Sequence, residues 1–170
     1  MIFSNLRSGT QMFRDALYKH IKDREGYSNL VYLDSLGKPT VGIGHLLSKE
    51  EKELYPVGAK LEESMIQEWF MDDITECLQA CDKQCVILST KDNEFRIALT
   101  SVNFQLGTKW FSKFPKTWKA LCHKKYDTAI AEIMYKVPGE DEHSDWYKQT
   151  PTRVKDFTQA IEKLKEIHND

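Results

Sequence analysis

A long amphipathic stretch, about Glu62 to Cys85, constrains this 170-residue chain more than any other feature. Ile66, Phe70, Ile74, Cys77, Leu78, Cys81 and Cys85 recur near the helical period, so one face is apolar throughout. About 22 helical residues reach roughly 33 Å at 1.5 Å per residue. A chain of this length forms one domain, or two small lobes sharing a core, and a rod that long runs from one lobe to the other.

The flanking segments divide by period. Ser8 or Thr10 can cap a helix running to about Glu25, with Met12, Phe13, Leu17 and Ile21 as its stripe and Gly26 as its stop. Leu30-Val-Tyr-Leu-Asp34 alternates with period two, Ser35-Leu-Gly-Lys-Pro39 is turn chemistry, and Thr40-Val-Gly-Ile-Gly44 resumes an extended strand. Gly42 and Gly44 are poor strand residues unless something approaches the backbone closely, a hint of a cleft. Four helical patterns follow the long one: Asp92–Leu106 stopped by Gly107, Pro115–His123, Asp127–Tyr135 and Thr152–His168. An acidic, breaker-rich loop, residues 137–145, separates the last two. The expected class is α+β, mostly helical, with one small antiparallel hairpin sheet.

Composition narrows the partners. The net charge of −2 argues against a nucleic-acid binder. The charge is uneven, however: between Gln105 and Tyr126 stand six lysines and no acid, interleaved with Trp110, Phe111, Phe114 and Trp118. That segment is either a surface for an anionic polymer or a solvated lysine face on an amphipathic helix. No apolar run is long enough to span a bilayer and no leader is visible, so a cytoplasmic product without stable membrane association is expected. Cys77, Cys81 and Cys85 stack on one helical face with only Cys122 elsewhere, which suits buried free thiols rather than a metal site. No metal and no cofactor is expected.

The chemistry concentrates in Glu25-Gly26, Asp34 and Thr40-Val-Gly-Ile-Gly-His45. Two acids and a hydroxyl surround a helix end and a short hairpin. Two carboxylates in unequal environments are the minimum apparatus for acid-catalysed cleavage of a glycosidic bond. The negative end of a helix disfavours charge on a carboxylate, the bias a proton donor needs, so Glu25 is the candidate general acid.

Glu25-Gly26, Asp34, Thr40 and Gly42-Ile-Gly-His-Leu-Leu47, then Asn103-Phe-Gln-Leu-Gly107, then Trp146-Tyr-Lys-Gln-Thr-Pro-Thr-Arg153 resemble, in order and spacing, the motifs of the bacteriophage lysozymes. The resemblance runs from near Ile21 to Arg153. It implies a two-lobed fold: a sheet-bearing lobe at about 26–75, a helical lobe at about 76–170 that includes the N-terminal helix, and a long connecting helix. It also implies hydrolysis of the β-1,4 bond between N-acetylmuramic acid and N-acetylglucosamine in bacterial peptidoglycan. The protein would act as a monomer, accumulate in host cytoplasm and reach the wall after membrane release.

By the same resemblance, Asp34 places or activates the attacking water, Thr40 holds it, and Arg153 reaches the catalytic Glu25. Inversion follows if the two carboxyl groups lie roughly 6.5–9.5 Å apart. His45 is expected to pair with Asp73. Leu46, Phe104, Gln105 and Thr117 match sugar-contacting positions, although Phe104 equally suits the core. Glu132 is charged where relatives have an amide, and Trp146 and Gln149 buttress the cleft. The chain departs from the pattern in an N-terminal extension of about fourteen residues, in Leu36 where a rim acid is usual, and in the inserted acidic loop. Two other readings stay open: a catalytically silent peptidoglycan-binding or regulatory module, and a lytic transglycosylase, against which Asp34 weighs.

Overall fold

A computed structural model describes residues 9–169; Ser8, the alternative helix cap, and the start of the N-terminal extension lie outside them. The chain is 66% helical with one three-stranded antiparallel sheet, an α+β fold. It divides into two compact units, Met1–Thr75 and Glu76–Asp170. The first helix, grouped with the helical lobe by the resemblance, falls in the first unit.

In that unit, α1 (Gly9–Glu25) ends at Gly26, whose N–H bonds the Lys22 carbonyl at 3.2 Å with φ +85°. A left-handed residue there closes the helix and lets the chain turn at once into the sheet. Strands β1 (Ser28–Leu33), β2 (Pro39–Gly42) and β3 (His45–Leu46) pair in that order, with Tyr32 and Leu46 both opposite Thr40. The extended run expected over 40–44 therefore breaks at Gly42 and turns back. Gly42 (φ +64°) and Gly44 (φ +69°) supply that turn.

The close approach they hinted at is a packing one. A Cβ on Gly42 would sit 2.7 Å from Ile66 Cγ2, so the core, not a ligand, requires a bare backbone there. Val31 and Val41 of the sheet pack with Leu47, Leu61 and Ile66. A short helix, α2 (Lys49–Leu54), starts on a Ser48–Glu51 capping box.

Helix α3 (Glu63–Ile87) is 25 residues long, about 37 Å, and its two halves belong to the two units. The second unit adds α4 (Asn93–Leu106), α5 (Trp110–Lys113), α6 (Pro115–Cys122), α7 (Tyr126–Met134), α8 (Asp145–Gln149) and α9 (Pro151–Asn169). α4 begins on the Asp92 side chain and ends at Gly107, and α6 takes Pro115 at its first turn. The core surrounds Trp110, Phe95 and Phe157, with α9 packed on α4, α7 and α8. Cys77, Cys81, Cys85 and Cys122 are free thiols; Cys81 and Cys85 are buried with sulfurs 3.9 Å apart, and Cys122 is exposed.

Candidate active site

Glu25 is the last residue of α1 and is exposed. Only Gly26 and Tyr27 separate the candidate acid from the start of β1. Asp34 lies one residue past β1, heading the turn rather than ending the strand. Its Oδ1 accepts from Leu36 N–H at 2.9 Å and Lys38 N–H at 2.8 Å. Asp34 N–H donates to the Lys38 carbonyl, and Gly37 N–H to the Asp34 carbonyl, both at 2.9 Å. This is an Asx-type turn: the side chain substitutes for backbone in closing the hairpin, which fixes the carboxylate's direction.

Thr40 is bound to the same residue. Its hydroxyl donates to the Lys38 carbonyl at 2.9 Å. Lys38, which the sequence did not single out, therefore holds both side chains through its main chain. Thr40 is 3% exposed, and with its proton committed its oxygen can act toward a water only as an acceptor.

His45 is clamped on both ring nitrogens. Nδ1 lies 2.7 Å from Asp73 Oδ2 and Nε2 lies 3.0 Å from Glu51 Oε2, with the ring stacked on Trp69 at 4.6 Å. The Asp73 bond, opposed by burial and aided by Glu51, raises the His45 pKa. Burial would raise the Glu51 pKa, but the Ser48 N–H and His45 outweigh it and lower that value. The expected partner, Asp73, is thus joined by a second one, Glu51. The sequence signal available for it, the Ser-x-x-Glu spacing of a capping box, went unread.

A second cluster was not foreseen. Glu63, at the start of α3, accepts from the Tyr18 hydroxyl at 2.5 Å and from the Tyr27 hydroxyl, with Lys22 Nζ at 3.4 Å. Lys22 also sits 3.9 Å over the Tyr27 ring. Burial first, then the bond to Glu63, pushes the Tyr27 phenol up to about 12 and Tyr18 higher still. Burial opposes charge on Glu63, yet the two phenols and Lys22 hold its pKa below the ordinary value. Tyr27 follows Gly26 directly, so this carboxylate ties together both sides of the turn that carries Glu25.

Leu46 stands on β3, 52% exposed. In the second unit, Phe104 and Gln105 are half-buried near the end of α4. Gln105 Nε2 donates to Thr150 Oγ1, and Gln105 Oε1 accepts from the Trp146 indole, both at 3.1 Å. Trp146 therefore orients Gln105. Arg153 is buried in the first turns of α9, while Gln149 is exposed and Glu132 half-buried. Thr117 is 2% exposed, closed into the helical core, a placement that presents almost no surface to a sugar ring.

Among the described residues no three His, Cys, Asp or Glu side chains converge as metal ligands, and no helix is long and apolar enough to cross a membrane.

Residues 22–144 match the phage lysozyme family, and the chain belongs to it. The match takes in Glu25, the hairpin, His45, Asp73 and Gln105, and stops before Trp146. Two relatives in Dictyostelium discoideum are similar over most of their length. A "Probable T4-type lysozyme 2" is 25% identical over 153 residues, 78% of this chain and 85% of its own. A "Probable T4-type lysozyme 1" is 26% identical over 162 residues, 84% of this chain and 91% of its own. Family membership supports the lysozyme class of glycoside hydrolase, with peptidoglycan as substrate.

Proposed function

We propose that the protein is a muramidase, cleaving the β-1,4 bond between N-acetylmuramic acid and N-acetylglucosamine in peptidoglycan and lysing bacteria. The observation that carries this is the presence, within one compact unit, of a helix-terminal acid and of a carboxylate and a hydroxyl both held by the Lys38 main chain. Glu25 donates its proton to the glycosidic oxygen, Asp34 directs a water at the anomeric carbon, and Thr40 accepts a hydrogen bond from that water. A single displacement by water inverts the anomeric carbon. Leu46, exposed on β3 of the same unit, contacts a sugar. The four free thiols suit storage in a reducing cytoplasm before release onto the wall.

The test separates chemistry from scaffolding. Glu25→Gln keeps the shape of the side chain and should lose on the order of 10²–10⁴ in rate of cell-wall clearing. Asp34→Asn retains an Oδ1 acceptor for Leu36 and Lys38, so the hairpin should fold while clearing falls comparably. Turbidity of permeabilised bacteria, with circular dichroism as the folding control, measures both. Full lysis by either variant would reject its role, and an anhydro-sugar product would replace hydrolysis with transglycosylation.

A further inference from the structure

The lysine- and aromatic-rich segment plays no part in the chemistry above, yet its fold is specific. Lys109, Phe111 and Trp118 form one wall of a groove of about 380 Å³ on the second unit. The facing wall is the outer side of α3, where Glu76, Gln79 and Lys83 recur at helical spacing. Phe111 and Trp118 are half-buried, with ring centroids 5.2 Å apart and planes tilted by 33°. Behind them stands the fully buried Trp110, edge-on to Trp118 at 5.8 Å. The Trp110 indole N–H is held by Gln84 at 3.3 Å. The rings are therefore braced from the core, and ordering them at the surface takes little further entropy.

The charge pattern is equally particular. In this unit Lys136 and Lys148 meet Glu142, Lys163 meets Glu94 and Lys165 meets Asp127. Lys109, Lys113, Lys116, Lys119, Lys124 and Lys125 are all exposed, and among the described residues none of them forms an ion pair. Among the described residues Lys113 bonds only the Leu106 carbonyl, at 3.3 Å. Uncompensated ammonium groups draw an anionic ligand toward this face.

A braced aromatic face, a primary amide and ammonium groups lining one groove are complementary to a sugar chain that carries carboxylates. The apolar face of a pyranose ring packs on an aromatic ring, and hydroxyls find amide and carboxylate partners at the other end. We propose that this groove is an accessory binding site for an acidic amino-sugar chain. One ring lies on Trp118, hydroxyls meet Gln79 and Glu76, and the carboxylate is answered by Lys83 and Lys109. The choice of ligand rests on the peptidoglycan reading, because every second sugar is a muramic acid whose lactyl carboxyl is a carboxylate in the bare glycan and elsewhere bears a stem peptide with carboxylates of its own. The site serves retention on the strand and not bond cleavage.

The experiment titrates the Glu25→Gln protein with two soluble tetrasaccharides: one alternating N-acetylglucosamine with N-acetylmuramic acid, the other the neutral N-acetylglucosamine tetramer. Nitrogen-15 NMR follows the Trp118 indole N–H. The acidic chain should shift that signal, and Trp118→Ala should weaken its binding roughly tenfold. Lys83→Glu with Lys109→Glu, both exposed and remote from the core, should do the same without unfolding and should flatten the salt dependence.

Unchanged binding by the double charge variant, or shifts confined to residues 9–75, would overturn the site. Tighter binding of a DNA oligomer or an anionic vesicle than of the acidic tetrasaccharide would overturn it too. Lysis by the wild-type protein is scored separately. If it lyses while the groove variants bind normally, only this proposal falls; if it fails to lyse, the muramidase reading falls and the titration still reads the groove.

Discussion

The two units hold their candidate functional residues by different means. In the first, short polar links do the positioning. Asp34 and Thr40 both bond the Lys38 main chain, His45 spans Asp73 and Glu51, and Glu63 joins Tyr18 to Tyr27. In the second, the bracing is aromatic packing around Trp110, with Gln105 held between Trp146 and Thr150. A site built on local hydrogen bonds can change a charge without losing its backbone, provided an acceptor remains. A site braced by a buried core changes with the core.

Trp110→Ala tests that contrast most severely. Removing a fully buried indole should cost about 3–5 kcal/mol, seen as a lower midpoint in urea, with the groove and the helical core lost together. A loss below about 1 kcal/mol would mean that the aromatic cluster braces nothing. Gly42→Ala comes next. The left-handed backbone and the 2.7 Å approach to Ile66 combine, and about 1–3 kcal/mol is expected. Adding Ile66→Ala relieves the contact but not the backbone strain, so the pair should recover only part of any loss attributable to Gly42→Ala.

Glu63→Gln asks whether a polar link can be weakened without unfolding. Burial persists, so the Tyr27 phenol should fall from about 12 only part of the way toward 10.0, read by ultraviolet titration. Because folding favours the neutral phenol, its contribution to stability is complete below the ordinary value and fades as pH rises toward the folded one. Cell-wall clearing should drop more than stability does, since Tyr27 adjoins the turn bearing Glu25. Equal drops would make the cluster purely structural.

The smallest effect is a pH profile. His45 is raised, so its contribution is complete below the ordinary 6.5 and disappears as pH climbs through the folded value. Glu51 is lowered, so its contribution is complete above 4.5 and disappears as pH falls through the folded value. The advantage of wild type over His45→Gln should peak between these limits and stay on the order of 1 kcal/mol or less. Denaturant midpoints across pH measure it. A flat difference would remove the clamp from the account of stability.

Helices with strong punctuation were legible in advance. Asp92 and Gly107 bound α4, Pro115 opens α6 and Gly26 ends α1, because caps and stops are local chemistry. The short elements α2, α5, α8 and β3 were not. Four to six residues of helix, or two of strand, carry too little periodicity to stand out from their flanks. Residues 40–44 read as one strand for the same reason, since the pattern cannot show where a glycine reverses the chain. The carboxylates Glu51 and Glu63 were visible only as members of acidic runs; what they bind depends on partners as many as 45 residues away.

By itself the sequence determined the helical class, the one long helix, and the family to which the order Glu25, Asp34, Thr40, His45 belongs. Periodicity, capping and motif spacing are properties of neighbouring residues. Tertiary structure alone decided that the Lys38 main chain holds two side chains, that Glu63 gathers two phenols, and that Lys83, Lys109 and Trp118 line a common groove. Such meetings depend on chain direction and side-chain reach across elements, and both are set only when apolar faces close on one another.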